Sequence, residues 1–198
     1  MHVVETTRFR RGKLPHWEVK NGRYFITVRL ADSLPAPVVA RLQEIHRDLS
    51  AIEAASDRFI ALQRQYFQTM EKYLDAGTGA CLLRDAAHAT TVRTELLALA
   101  DWNVAVPHFT IMPNHWHALL APAPDCSRSL GEIMKRLKGR TGLQIRAATA
   151  TSGTLWQREW FDRWIRDDRE WEKTVAYIRN NPVRAGLAAT WQENPWTK

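Results

Sequence analysis

An α+β protein built on an antiparallel sheet is the fold this sequence predicts, and three observations predict it. Segments rich in aromatic and branched residues, bounded by turn residues, recur near the start, the middle and the end of the chain. Long stretches with apolar residues at helical spacing lie between them. Two strand-like segments in the middle are separated only by the tight turn MPN, which makes them antiparallel partners.

The first strand, Tyr24 to Leu30, follows the turn dipeptide Asn21-Gly22 and has a composition suited to a central position. From Val38 a helical pattern runs with few breakers, carrying Leu42, Ile45, Leu49 and Ile52 at helical spacing, until Gly77 and Gly79 close it. A second helix is predicted over Ala86 to Leu99. WNVAVPHFTIM then reads as a strand that Pro107 makes irregular or an edge element. HWHALLA is its antiparallel partner. The next helix has an apolar stripe of Leu130, Ile133, Met134 and Leu137, with Asp125 or Ser127 as its cap. LWQREWFDRWI is expected to be a further strand, and DDREWEKTVAYIRNN a helix stopped by Pro182. The remaining tail is expected to wrap the surface. The resulting order is strand, helix, hairpin, helix, strand, final helix. It predicts a ferredoxin-like core with an antiparallel sheet, an enlarged helical first crossover over residues 38–99, and an additional C-terminal helix. Residues 1–198 are read as one domain.

Composition narrows the function classes. With 45% hydrophobic residues and nine tryptophans, a disordered chain is excluded. No apolar run reaches the roughly 20 residues that span a bilayer, and the first residues lack the apolar centre of a secretory signal, so a cytoplasmic protein with no membrane partner is expected. Cys81 and Cys126 lack metal-ligand spacing. The net charge is +7, and it is concentrated in RFRRGK (Arg8 to Lys13) and KRLKGRTGLQIR (Lys135 to Arg146). Both segments suit a nucleic-acid surface, and a solvated basic face is the alternative.

The chemistry centres on MPNHWHALL. Residues two apart in a strand share a face, so His115 and His117 project together while Trp116 points the other way. Two neutral imidazoles so placed can chelate a divalent ion, or they can simply fill the space between sheet and helix. In the last helix, Tyr177 and Asn181 are four apart and face one direction if the helix extends that far. Tyr177 offers a hydroxyl able to attack phosphorus or a half-buried packing ring. Asn181 offers an amide oxygen for a metal, or a helix terminator ahead of Pro182. Polarising a phosphodiester suits Mg2+ or Mn2+, with Zn2+ as the competing ion. Lys138 and Lys135 are expected to contact phosphate. Gln157 and Arg158 are DNA-contact candidates because their side chains have no packing reason to be there. The nearby tryptophans are read first as packing residues.

MPNHWHALL resembles the histidine–hydrophobic–histidine (HUH) motif of the single-tyrosine Y1 transposases of the IS200/IS605 type. Together with LPHW, YFITVRLADSLP, YLDAG and CLLRD before it and IMKRLKG, LWQREWFDRWIRD and YIRNNPVRAGL after it, in that order from about Leu14 to Leu187, the sequence is similar to the REP-associated tyrosine transposases. The resemblance implies a ferredoxin-like nuclease that binds single-stranded DNA beside a hairpin. His115 and His117 would hold the ion, and Tyr177 would form a 5′-phosphotyrosyl link that leaves a free 3′-OH. Asn181 stands where relatives place a third ligand, commonly Gln. RFRRGKLPHW resembles a segment that reads the hairpin's guide bases, which implicates Arg10, Arg11 and His16. Family members act as monomers or as dimers, so self-association stays open. The function expected is a metal-dependent endonuclease and strand transferase at DNA hairpins. The alternative is a hairpin-binding protein or repressor that cleaves little or not at all.

Overall fold

The computed structural model describes residues 6–11, 15–19, 21–52, 56–150 and 152–198. Strands β1 (Thr6–Arg11) and β2 (Pro15–Val19) form a two-stranded antiparallel ribbon, an element the sequence reading did not anticipate. The chain then turns at Asn21-Gly22 into β3 (Arg23–Arg29). The turn is close-packed: a Cβ on Gly22 would lie 2.5 Å from the Tyr24 hydroxyl oxygen and 2.9 Å from the Val19 carbonyl oxygen. The Tyr24 hydroxyl donates to that carbonyl and accepts from the Val19 N–H, which clamps ribbon to sheet.

Two helices follow, α1 (Ala36–Ala51) and α2 (Asp57–Leu74), where the periodicity suggested one long pattern. Ile52 is extended, and the Ser56 side chain accepts from the Phe59 N–H, so a new cap begins a new helix. Helix α3 (Ala86–Leu97) ends in a 3-10 turn over Ala98–Trp102. Next come β4 (Val104–Ala105), β5 (Phe109–Met112) and β6 (His115–Pro122). Both short strands pair antiparallel with β6, and the break between them falls around Pro107 as expected. Helix α4 (Leu130–Thr149) is capped by Ser129 in a reciprocal box with Glu132, so neither Asp125 nor Ser127 is the cap. It leads through an irregular stretch into β7 (Phe161–Ile165) and α5 (Asp168–Arg184).

The sheet runs β5, β6, β3, β7, with β3 central and antiparallel to both its neighbours. This is the ferredoxin-like order, and the long crossover from β3 to β4 carries α1, α2 and α3. The C-terminal tail covers the β5 edge: the Ile111 N–H donates to the Trp196 carbonyl, and the Lys198 N–H to that of Phe109.

Two expectations need correcting. Only the second half of LWQREWFDRWI is strand. Trp156 forms a single bridge with Leu30, and its indole N–H donates to Thr141 Oγ1 on α4, which draws residues 155–160 off the strand line. Pro182 does not stop α5, which continues to Arg184. Pro182 gives up the one N–H bond that would reach back to Ile178, but the helix persists around it, and the Ala185, Gly186 and Leu187 N–H groups close it on the Asn181, Val183 and Pro182 carbonyls.

The sheet has two covered faces. Ile26, Val28, Trp116, Ala118 and Leu120 pack against α3 and α4 through Val92, Leu96, Ile133 and Leu137. Phe25, Leu119 and Phe161 pack on the other side against α1, α2 and α5. A four-stranded core of this kind places its two crossover helices on one face. Here the helical elaboration and the extra C-terminal helix cover the second.

His16 lies inside the structure, so it is not a free base-reading side chain. It is 3% exposed, stacked on Trp160, and hydrogen-bonded through Nδ1 to Asp162 of β7, with Glu159 at 3.4 Å from Nε2. Burial alone would lower its pKa, but the hydrogen bonds and charges of Asp162 and Glu159 outweigh that and raise it to about 9. The stabilisation is therefore complete below the ordinary value of 6.5 and is lost as pH rises through about 9. His16→Phe keeps the stacking and leaves Asp162 buried without its cation, which should cost about 3 kcal/mol. Hydrogen-exchange protection factors for β2, corrected for intrinsic rates, should fall in wild type between pH 7 and pH 10. In the variant they should be low throughout and lack that step. A pH-dependent step of equal size in both proteins would refute the pairing.

Candidate active site

The alternation of β6 places His115 and His117 on the face covered by α2 and α5, with Trp116 buried on the other. Both imidazoles are completely buried, and their Nε2 atoms converge to 3.1 Å. Neighbours hold the opposite ring nitrogens. Asn114 Nδ2 donates to the carbonyls of Leu74 and Thr78, which fixes its amide and turns Oδ1 towards His115 Nδ1 at 2.7 Å. An amide oxygen only accepts, so His115 carries its proton on Nδ1 and presents a bare lone pair at Nε2. His117 Nδ1 lies 2.8 Å from Thr27 Oγ1, a hydroxyl that can donate or accept. His117 can therefore point either a proton or a lone pair at the centre, as the occupant requires.

Burial holds both histidines far below their usual range, at about 3. They are neutral at physiological pH, the form in which imidazole ligates metals.

The third group comes from the helical elaboration. Glu71 of α2 is 5% exposed, and one of its oxygens lies 3.6 Å from His117 Nε2. One ligand atom from each of Glu71, His115 and His117 fits within a sphere of contacts no longer than 4.8 Å. Burial raises the Glu71 carboxyl to about 7, against the opposing influence of His115, Arg184 and Asn181. Tyr177 of α5 donates its hydroxyl proton to Glu71 Oε2, and its ring centre is 5.4 Å from that of His117. The other carboxylate oxygen has no hydrogen-bond partner among the described residues.

The residues expected from sequence fall into distinct places. His115, His117, Tyr177 and Asn181 share one region. Asn181 is completely buried on the turn after Tyr177, close enough to Glu71 to favour its ionised form, yet neither amide atom makes a hydrogen bond of full geometry among the described residues. Lys138 donates to the carbonyls of Gln157 and Arg158 and stands over the Trp160 ring, so it pins the irregular stretch to α4. Lys135 and Arg158 are exposed, and Gln157 is half-buried. Arg10 and Arg11 lie in β1, and their side chains fall outside the described residues. Neither the two lysines nor Gln157 and Arg158 are in the His–Glu–Tyr cluster. Sequence reading missed Glu71, Asn114 and Thr27. Asn114 adjoins the motif and could have been suspected as its orienter, whereas Glu71 has no spacing relation to it.

Residues 88–181 match the family model described as Transposase IS200 like. The match covers just under half of the chain, which over that segment is similar to the IS200-like transposases. The matched stretch contains both histidines and Tyr177 and ends at Asn181, while Glu71 and Thr27 lie before it. An uncharacterized protein of Haemophilus influenzae is 26% identical over 100 residues, which are 40% of this chain and 55% of that one. The chain thus spans little more than half of that curated relative. Among solved structures, a REP-associated tyrosine transposase bound to a REP hairpin is 19% identical, with 96% of this chain and 81% of that one covered and a TM-score of 0.49. A Deinococcus radiodurans protein described as a candidate transposase is 14% identical, covering 80% and 89%, with a TM-score of 0.34.

Imidazole nitrogen NMR should find His115 as the Nδ1–H tautomer and both rings neutral across pH 5–8. Asn114→Leu should abolish the single tautomer. Since unfolded histidines protonate near 6.5 and these not until about 3, stability should fall as pH drops through that window. Titration of either ring near 6.5 in the folded protein would contradict the site as described.

Proposed function

We propose that the chain is a divalent-metal-dependent endonuclease and strand transferase for single-stranded DNA at hairpins of the REP palindrome type, working in the cytoplasm through a 5′-phosphotyrosine intermediate. The observation that carries this reading is the hydrogen bond from the Tyr177 hydroxyl to a carboxylate that itself adjoins two convergent neutral histidines. A nucleophile, a proton acceptor and a cation-binding cluster thus meet in one buried place, the requirement for in-line attack on phosphorus.

Tyr177 Oη forms the new bond to phosphorus as its proton passes to Glu71. The bond from phosphorus to the 3′ oxygen breaks, and that oxygen leaves with the electron pair, takes a proton from solvent and becomes a 3′-OH. Reversal with another 3′-OH rejoins strands. His115, His117 and Glu71 would hold the ion, with Asn181 as a fourth donor: its buried, unpartnered amide and the unpartnered Glu71 oxygen fit a cation there. Mg2+ or Mn2+ so held would polarise the scissile phosphate. The nucleophile and the histidines meet within one chain, which supports attack in cis. The stem of the hairpin is assigned to the basic ribbon through Arg10 and Arg11, with Lys135 and Arg158 as further phosphate contacts.

Denaturing electrophoresis of a 5′-extended DNA hairpin with Mn2+ tests the reading. Wild type should yield a covalent adduct and a free 3′-OH fragment, and Tyr177→Phe should yield neither while retaining binding. An adduct that persists in the Phe variant would rule out this nucleophile. Glu71→Gln removes the proton acceptor and one anionic donor together. It should slow adduct formation about 10²–10⁴-fold and weaken Mn2+ binding at least ten-fold by calorimetry, whereas Asn181→Ala should change Mn2+ affinity less.

A further inference from the structure

Beside the cluster, a cleft of about 890 Å³ opens between α2 and the β7–α5 segment, with Tyr177 and Glu71 in its wall. Seven basic and four acidic residues line it. Three of the basic groups are already engaged: Arg163 and Arg166 by Glu170, and Arg184 by Asp75. The other four, Arg64 and Lys72 on α2 and Arg169 and Lys173 on α5, are exposed and have no carboxylate within ion-pair distance among the described residues. At the base lie Phe25 and Phe67, the latter half-buried and 5.6 Å from the Tyr177 ring. Among the described residues, none that the sequence assigned to DNA contact lines this space.

We propose that this cleft binds the single strand that runs through the active site, its phosphates held between Arg64 and Lys72 on one wall and Arg169 and Lys173 on the other. Cationic walls over an aromatic base are the chemistry of single-strand recognition: the walls follow the backbone, and a ring left partly uncovered, as Phe67 is, offers a stacking surface to any base. A duplex does not fit the geometry. His115 and His117 are completely buried and Tyr177 is recessed between two helices, so only an unpaired strand can bring its phosphate to the hydroxyl. The charge arrangement carries no base-edge readout, so the cleft confers affinity and strand path while sequence selection lies elsewhere. The helical elaboration thereby has two tasks, supplying Glu71 to the cluster and one wall to the strand. This inference rests on the proposed cleavage activity for its purpose, though not for its test.

The test measures binding of a fluorescent oligothymidylate to full-length Tyr177→Phe protein without metal, by anisotropy over a range of salt concentrations. Adding R64Q and K173Q should weaken binding at least ten-fold at low salt. It should also lower the slope of log affinity against log salt by about 1.4, two phosphates at about 0.7 each. R47Q with R93Q removes equal charge from exposed helix positions outside the cleft and should leave affinity and slope within two-fold and experimental error. Affinity for a blunt duplex of equal length should drop no more for the cleft pair than for the control pair. Melting curves verify that all variants fold. Equal effects of the two pairs on the single strand, or an equal effect of the cleft pair on single strand and duplex, would overturn the proposal. Adduct formation by wild type on a hairpin substrate reads the cleavage activity separately, so either claim can fail without the other.

Discussion

Covering the second face of the sheet is the constraint on which the rest depends. Two imidazoles and a carboxylate together on a sheet face would be solvated if that face were open, and the site would have ordinary pKa values and no fixed geometry. Helices α2 and α5 close over it, and the consequences are coupled. The histidines are driven neutral, the Glu71 carboxyl is pushed up to about 7, and the Tyr177 hydroxyl is left with that carboxylate as its hydrogen-bond acceptor. Buried polar groups persist only when partnered. Here Asn114 and Thr27 partner the outer ring nitrogens, while the inner atoms of Glu71 and Asn181 are left short of partners. That pattern, satisfied outside and unsatisfied within, is what a cation site requires before its ion arrives.

The same closure ties the site to the fold's periphery. Asn114 is oriented by carbonyls at the end of α2 and in the loop beyond it, so the helix that contributes Glu71 also fixes the His115 tautomer. Arg184 at the end of α5 pairs with Asp75 just past α2 and lies over the Tyr177 ring at 5.5 Å. The two covering helices are thus linked to each other at the point where their functional side chains meet.

Much of this was legible in the residues and some was not, for identifiable reasons. Period-two alternation put His115 and His117 on one face and Trp116 on the other, and helical spacing put Tyr177 and Asn181 together, because these are local rules. The order of elements was enough for the sheet order. The contribution of Glu71 is a long-range packing event: nothing in MEKYLDAG announces that its helix crosses to the far face of the sheet. His16 misled because a basic, aromatic-rich N-terminal segment looks like a free DNA-reading arm, and the anions that bury it, Asp162 and Glu159, are some 145 residues away. Pro182 misled because a proline removes a single N–H bond, and the N–H groups of Ala185, Gly186 and Leu187 still bond back to carbonyls of the last turn. Trp156 left the expected strand because its indole found Thr141 on α4.

Crystals of the full-length protein soaked with Mn2+, with diffraction collected at the manganese edge, address the central claim most directly. The account predicts one strong anomalous peak bonded to His115 Nε2, His117 Nε2 and a Glu71 carboxylate oxygen, with the Tyr177 hydroxyl beside it. A peak bound by the two histidines with Glu71 turned away, or by residues outside this cluster, would contradict the account that α2 completes the site.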